Sequence, residues 1–181
     1  MVSVDVNQLY LSRNYVPLFQ IDAIHVTGNN DEPHTTEQLL AAAVVTPKAV
    51  QSLDIDQSAM VFCGKLKETK LVEKGLTAIK TKFVSIHSAA KHTNADRIAL
   101  SNLDSDTANV EDIVKALITV LAGVRGTNAR RITELIITCD FDVVSMIQRV
   151  GRIVRAMLSY CGSVLFRITL ISDQLDNLSI R

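Results

Sequence analysis

Apolar and polar positions alternate unevenly along this chain, and the pattern separates a proline-bearing start from a longer remainder. Pro17, Pro33 and Pro47 all fall within the first 47 residues. Beyond them nothing removes a backbone donor, so long regular elements can form. Residues 18–27 are rich in Ile, Val and Phe and run into Gly28-Asn29-Asn30-Asp31, which reads as a strand ending in a turn. Thr35 or Thr36 can cap an Ala/Leu-rich helix over 37–45 that stops before Pro47, with a second short turn over 47–53.

Two apolar stretches, 59–67 and 76–87, read as strands, and the charged segment 68–75 between them ends in Gly75, which suggests a hairpin. Residues 95–103 suggest a further short strand, and 104–107 a loop. Asn109 is placed to cap a helix whose apolar positions Val110, Ile113, Val114, Leu117, Val120 and Leu121 recur at helical spacing, with Gly123 as its stop. Residues 132–141 read as a buried strand. Asp142 caps a helix through about Cys161, Gly162 stops it, and 164–172 form a last strand. That strand, helix and strand can make a right-handed parallel crossover, although the two strands need not be neighbours. The pattern predicts an α+β fold: a mixed β-sheet packed by two main amphipathic helices in a single compact domain, with 1–14 as an N-terminal arm and 173–181 as a tail.

Composition narrows the class. With 48% hydrophobic residues the 181-residue chain is too apolar to stay disordered. Nineteen basic residues cancel nineteen acidic ones, so bulk charge does not drive it onto nucleic acid or lipid. Cys63, Cys139 and Cys161 form neither a disulfide framework nor a ligand pair. Residues 1–14 lack a basic start and an apolar core, and no run approaches the roughly 20 apolar residues needed to span a bilayer. A cytoplasmic protein is expected.

Net zero hides a partition. Residues 1–124 carry 11 basic and 14 acidic side chains, nine of the basic ones being lysine; residues 125–181 carry 8 basic side chains, all arginine, and 5 acidic ones. Arginine suits bidentate contact with carboxylate or phosphate. Arg149, Arg152 and Arg155 recur every three residues on one side of the expected helix, opposite Val143, Met146, Ile147, Val150, Ile153, Val154, Met157 and Leu158. Arg125, Arg130 and Arg131 lie in the preceding loop. These side chains form either an ordinary solvated surface or a site for an anion, an acidic partner or another subunit. In the expected hairpin, Lys65 and Lys67 share a face of one strand and Lys80 and Lys82 a face of the other, and an aligned register gathers the four into a patch, with Lys70 and Lys74 in the connecting loop. That patch either deters edge-to-edge aggregation or touches phosphate or lipid headgroups. No tryptophan and few aromatics interleave it, which disfavours base stacking.

The most enzyme-like feature is Leu135-Ile136-Ile137-Thr138-Cys139-Asp140-Phe141-Asp142. A D-x-D pair ending a hydrophobic strand resembles the first motif of haloacid-dehalogenase-type phosphotransferases. That resemblance implies a nucleophile at Asp140, an acid/base at Asp142 and a magnesium ion. In that family the motif opens a Rossmann-like domain, whereas here it falls in the last quarter of the chain. Helix capping by Asp142, with Asp140 in the preceding turn, accounts for the pair more simply. His25, His34, His87 and His92 match no metal-ligand spacing; His87 and His92 flank a polar segment and suit surface positions. Cys139 and Cys161 suit small-hydrophobe roles. No nucleophile elbow, Walker or dinucleotide fingerprint occurs, and Gly123-Val124-Arg125-Gly126 lacks the lysine-serine continuation of a P-loop. Asn177-Leu178-Ser179 is a formal glycosylation sequon without an expected secretory route.

With no catalytic constellation, abundant apolar surface and oppositely charged regions, the sequence predicts a non-enzymatic, self-associating structural or adaptor protein. Viral matrix or capsid proteins and nucleic-acid-associated proteins are concrete versions of it. A homo-oligomer with no cofactor, metal or small-molecule substrate is expected. The tail residues Leu175, Leu178 and Ile180 offer apolar surface to a partner subunit. The alternatives are a small magnesium-dependent phosphoryl-transfer enzyme built on Asp140-Phe141-Asp142, and a protein that binds RNA or an anionic membrane surface without sequence preference.

Overall fold

Every residue of β2 (Ser58–Cys63) is buried, as in a strand covered on both faces. The computed structural model describes residues 18–25, 36–87, 93–105, 108–120, 131–138 and 165–172. Around β2 the chain runs β1 (Leu18–His25), α1 (Thr36–Gln51), β2, α2 (Leu66–Ala78), β3 (Phe83–Ile86), α3 (Asn94–Asp104), β4 (Ala116–Val120), β5 (Ile132–Ile137) and β6 (Leu165–Ser172), with a 3-10 turn at Val110–Asp112. The strands form one sheet in the order β1-β6-β5-β2-β4-β3. All five neighbouring pairs are parallel.

The register aligns Val61 with Ile118 on β4 and Ile136 on β5, a row of branched side chains across the sheet centre. On that face Ala59, Val61, Cys63, Ala116, Ile118 and Ile136 pack against Ala42 and Val50 of α1 and Val72 and Leu76 of α2. The intervening residues Met60, Phe62, Leu117, Leu135 and Ile137 fill the opposite face and are also buried. Each such side chain contributes roughly 1.5–3 kcal/mol. The usual right-handed crossover places helices that advance toward β3 on one face and α3, which returns from it, on the other.

The fold is therefore α/β with an all-parallel sheet, and the expected α+β mixed sheet is corrected. The largest change is at 64–82. Instead of a hairpin, β2 stops at Cys63 and α2 follows. Its lysines, glutamates and leucines are good helix formers, and Thr69, Val72 and Leu76 recur at helical spacing on its buried side. β2 and β3 are not adjacent, because β4 lies between them. The strand expected at 95–103 is helix α3. The Thr93 hydroxyl accepts the Asp96 N–H at 3.2 Å, and the Asp96 carboxylate accepts the Thr93 N–H at 2.7 Å.

The helix expected from Val110 to Leu121 is a 3-10 turn followed by β4. Ile118, Thr119 and Val120 favour a strand, and burial on both faces removes the alternation that would have revealed one. α1 does not stop before Pro47 but runs through it to Gln51. β1, β5 and β6 lie where strands were expected, and β5 pairs with β6 in parallel. The helix expected over 142–161 lies outside the described residues, as do both terminal segments. Among the described residues no helix is long and apolar enough to cross a membrane.

Candidate nucleic-acid interface

In an open parallel sheet, ligands bind beyond the carboxyl ends of strands whose outgoing connections diverge. Here those strands are β2, whose chain leaves through α2 toward β3, and β5, whose chain leaves toward β6. Gly64 and Lys65 follow β2, and Thr138 follows β5. The Thr138 N–H and its hydroxyl both donate to the Phe62 carbonyl, each at 3.0 Å. This ties the two strand ends together at the mouth of the crevice.

The first turn of α2 starts at this mouth, where backbone N–H groups ordinarily make an anion site. A carboxylate of the same helix holds them instead. Oε2 of Glu68 accepts the Gly64 N–H at 2.5 Å and the Lys65 N–H at 3.4 Å, and Glu68 is buried. An acidic group at a helix N-terminus also opposes the local positive potential. The two N–H groups just ahead of α2 are thus taken by the helix's own carboxylate. Glu68 went unnoticed in the sequence because 64–68 was read as strand and loop.

The structure disperses part of the expected basic set. Lys65 and Lys67 are exposed at the start of α2. Lys80 and Lys82 lie past its other end, about 20 Å away along a 13-residue helix. The four do not form one patch. Lys80 takes φ 55, the left-handed residue that ends α2. Its N–H reaches the Thr77 carbonyl at 3.0 Å, and the Thr81 N–H reaches that of Leu76 at 3.0 Å, a Schellman closure. The Lys82 ammonium donates to the Glu111 carbonyl.

Arg131 is also committed elsewhere. Its Nε and Nη2 donate to the Ser105 carbonyl at 3.0 and 2.7 Å, and its N–H donates to the Leu103 carbonyl at 3.2 Å. Ser105 is the C-cap of α3, so the guanidinium meets the negative end of that helix. This occurs at the start of β5, the sheet edge opposite the crevice. Arg125, Arg130, Arg149, Arg152 and Arg155 lie outside the described residues, as do Asp140 and Asp142.

Lys115, not singled out by its sequence context, anchors the same opposite edge. Its ammonium donates to the carbonyls of Asp54, Ile55 and Gln57 at 2.5, 2.7 and 3.2 Å. Burial pushes it below the ordinary lysine range, partly offset by the charges of Asp56 and Asp54. His87, expected on the surface, is mostly buried: its side chain is 8% exposed and Nε2 stands 3.5 Å from Oε1 of Glu73. Cys63 belongs to the core. Among the described residues no group of three or more His, Cys, Asp or Glu could hold a metal.

Among the described residues, α2 carries an exposed basic set that starts at the crevice: Lys65, Lys67, Lys70 and Lys74. Glu73, on the same helix, turns toward His87.

No protein-family profile matches the chain, and no curated protein matches it. Solved structures do share its fold. The C-terminal domain of the DEAD-box protein Dbp5 superposes with a TM-score of 0.57 at 16% identity, over 90% of this chain and 81% of that one. Domain 2 of the Mss116p DEAD-box helicase, bound to an RNA duplex, gives 0.55 at 17% identity, over 88% of this chain and 56% of that one. The C-terminal part of the Fun30 ATPase domain gives 0.52 at 18% identity, over 76% and 43%. The chain thus spans less than half of the Fun30 structure and little more than half of the Mss116p one. The shared architecture is that of these DEAD-box and ATPase C-terminal domains, which overturns the expectation of a structural protein of viral matrix or capsid type. The expected absence of enzymatic function gains no support from a fold found in ATPases.

Proposed function

We propose that this chain is a helicase-type domain that binds RNA through its phosphate backbone and works beside a second, nucleotide-holding domain. The observation that carries this reading is the all-parallel sheet in the order β1-β6-β5-β2-β4-β3, taken with the Dbp5 and Mss116p likeness over about nine-tenths of the chain. The Mss116p domain is bound to an RNA duplex, which favours RNA as the polyanion.

Two features of this chain fit a domain that does not cradle nucleotide phosphates itself. The sequence holds no Walker pattern, and the Glu68 carboxylate takes the Gly64 and Lys65 N–H groups just ahead of α2. The arginines Arg125, Arg130, Arg149, Arg152 and Arg155 are then the groups that meet phosphate, either on RNA or on a nucleotide offered by the companion domain. An arginine supplied in trans stabilises charge developing during phosphoryl transfer. The segment-level excess of arginine after residue 124 is what this role requires.

The test is fluorescence anisotropy of labelled single-stranded and duplex RNA with the full chain across a salt series. Affinity should fall with rising salt, and Arg152→Gln with Arg155→Gln should weaken it further. RNA binding that is absent at low salt, or indifferent to both substitutions, would overturn the reading.

A further inference from the structure

We infer that the outward face of α2 is a backbone track for a nucleic-acid strand, with Lys67, Lys70 and Lys74 each meeting one phosphate. The inference rests on the RNA-binding reading and extends it to the helix after β2. At about 100° per residue, the three lysines fall within an arc of roughly 60°. The buried Glu68, Thr69, Val72 and Leu76 occupy the other side, so packing of α2 fixes the lysine row toward solvent. All three lysines are exposed. Among the described residues none forms an ion pair: the two acids of α2 are turned away, Glu68 into its own N-terminus and Glu73 toward His87.

Spacing and position select the occupant. From Lys67 to Lys74 the helix rises about 10 Å. One strand of a helical nucleic acid carries a negative charge about every 3.4 Å of axis, so that rise spans about three successive phosphates. The row begins beside Lys65 at the crevice mouth and descends the flank of the domain. A membrane surface would recruit a broad basic face, whereas this row is one side chain wide. Leu66 and Leu71 flank it, and the vesicle arm of the test separates the two occupants. Lysine, a mobile point charge, suits a track that follows a backbone without reading bases.

The experiment compares the full chain with a Lys67→Gln/Lys70→Gln/Lys74→Gln variant, and with Lys48→Gln, an exposed basic position on α1, as control. Circular dichroism checks that the exposed substitutions leave the fold intact. Binding of labelled single-stranded RNA should weaken at least about tenfold near 0.1 M salt in the triple variant, and the salt slope should shrink by about 2, or about 0.7 per lost contact. Lys48→Gln should change neither. Wild-type binding with an unchanged affinity and slope in the triple variant overturns the track while leaving the RNA-binding reading intact. A wild-type chain that binds no RNA overturns both. Loss of binding to phosphatidylserine vesicles with RNA binding retained overturns the track in favour of a membrane surface.

Discussion

Gly75 of α2 lies directly against Pro47 of α1: a Cβ on Gly75 would stand 2.9 Å from Cγ of Pro47 and 2.8 Å from the carbonyl oxygen of Ala43. Proline has no N–H to give the carbonyl four residues back, so that carbonyl is left without its helical donor. Only a residue without a side chain lets α2 approach so near. The apparent helix breakers, one in each helix, mark the place where the two helices meet.

Substituting Gly75→Ala should therefore destabilise the protein despite alanine's better helix propensity. The propensity gain is about 1 kcal/mol, while forcing a methyl against backbone costs roughly 1–3 kcal/mol. A net loss of up to about 2 kcal/mol is expected in urea unfolding, with the m-value unchanged. A stabilised variant would mean that α1 and α2 are further apart than described.

Arg131→Ala should behave as a stability variant and not as a binding one. The side chain supplies two charge-assisted bonds to the Ser105 carbonyl, and its loss should cost about 1.5–3 kcal/mol. RNA affinity measured well below the unfolding transition should be unchanged. A selective loss of RNA binding with stability retained would return Arg131 to the phosphate-binding set.

Local chemistry explains which elements the sequence revealed. β1, β5 and β6 stood out because their long apolar runs are bounded by turn or polar residues. β4 did not, since a strand covered on both faces shows no alternation and its apolar spacing, read alone, satisfies a helix. α2 was hidden by Gly75 and by lysine-rich surface. α3 was hidden too, although the Thr93–Asp96 pair is a cap signal that could have placed its start. At the candidate site, lysine spacing was legible but the secondary structure beneath it was misassigned. The row that emerges joins Lys67 to Lys70 and Lys74 rather than to Lys80 and Lys82. Lys115 could not be recognised at all, because its partners are backbone carbonyls of a distant segment brought near by folding. Glu68, whose partners are local, was missed together with the start of α2.

Lys80→Gly should stabilise the chain. Lys80 holds φ 55 at the end of α2, a conformation costing a side-chain-bearing residue roughly 1–2 kcal/mol that glycine does not incur. Greater freedom of the unfolded glycine offsets part of this, leaving a gain of about 0.5–1 kcal/mol. The midpoint of urea unfolding should rise, and a fall would argue against the left-handed closure.

Lys115 should lose its proton below the ordinary lysine range. Burial lowers its proton affinity in the folded state, with Asp56 and Asp54 opposing that shift. In the unfolded chain it regains ordinary lysine behaviour. Between the lowered folded value and the ordinary one, the unfolded state binds more protons, so this residue makes stability rise with pH across that alkaline window. Two measurements follow. The Lys115 Cε resonance should titrate below the ordinary lysine range. The unfolding free energy of the wild type relative to Lys115→Met should grow as pH climbs through the same window. At neutral pH the variant should already be less stable, because the carbonyls of Asp54, Ile55 and Gln57 lose a shared donor. A flat difference across the alkaline range would mean that the ammonium group is not desolvated by folding.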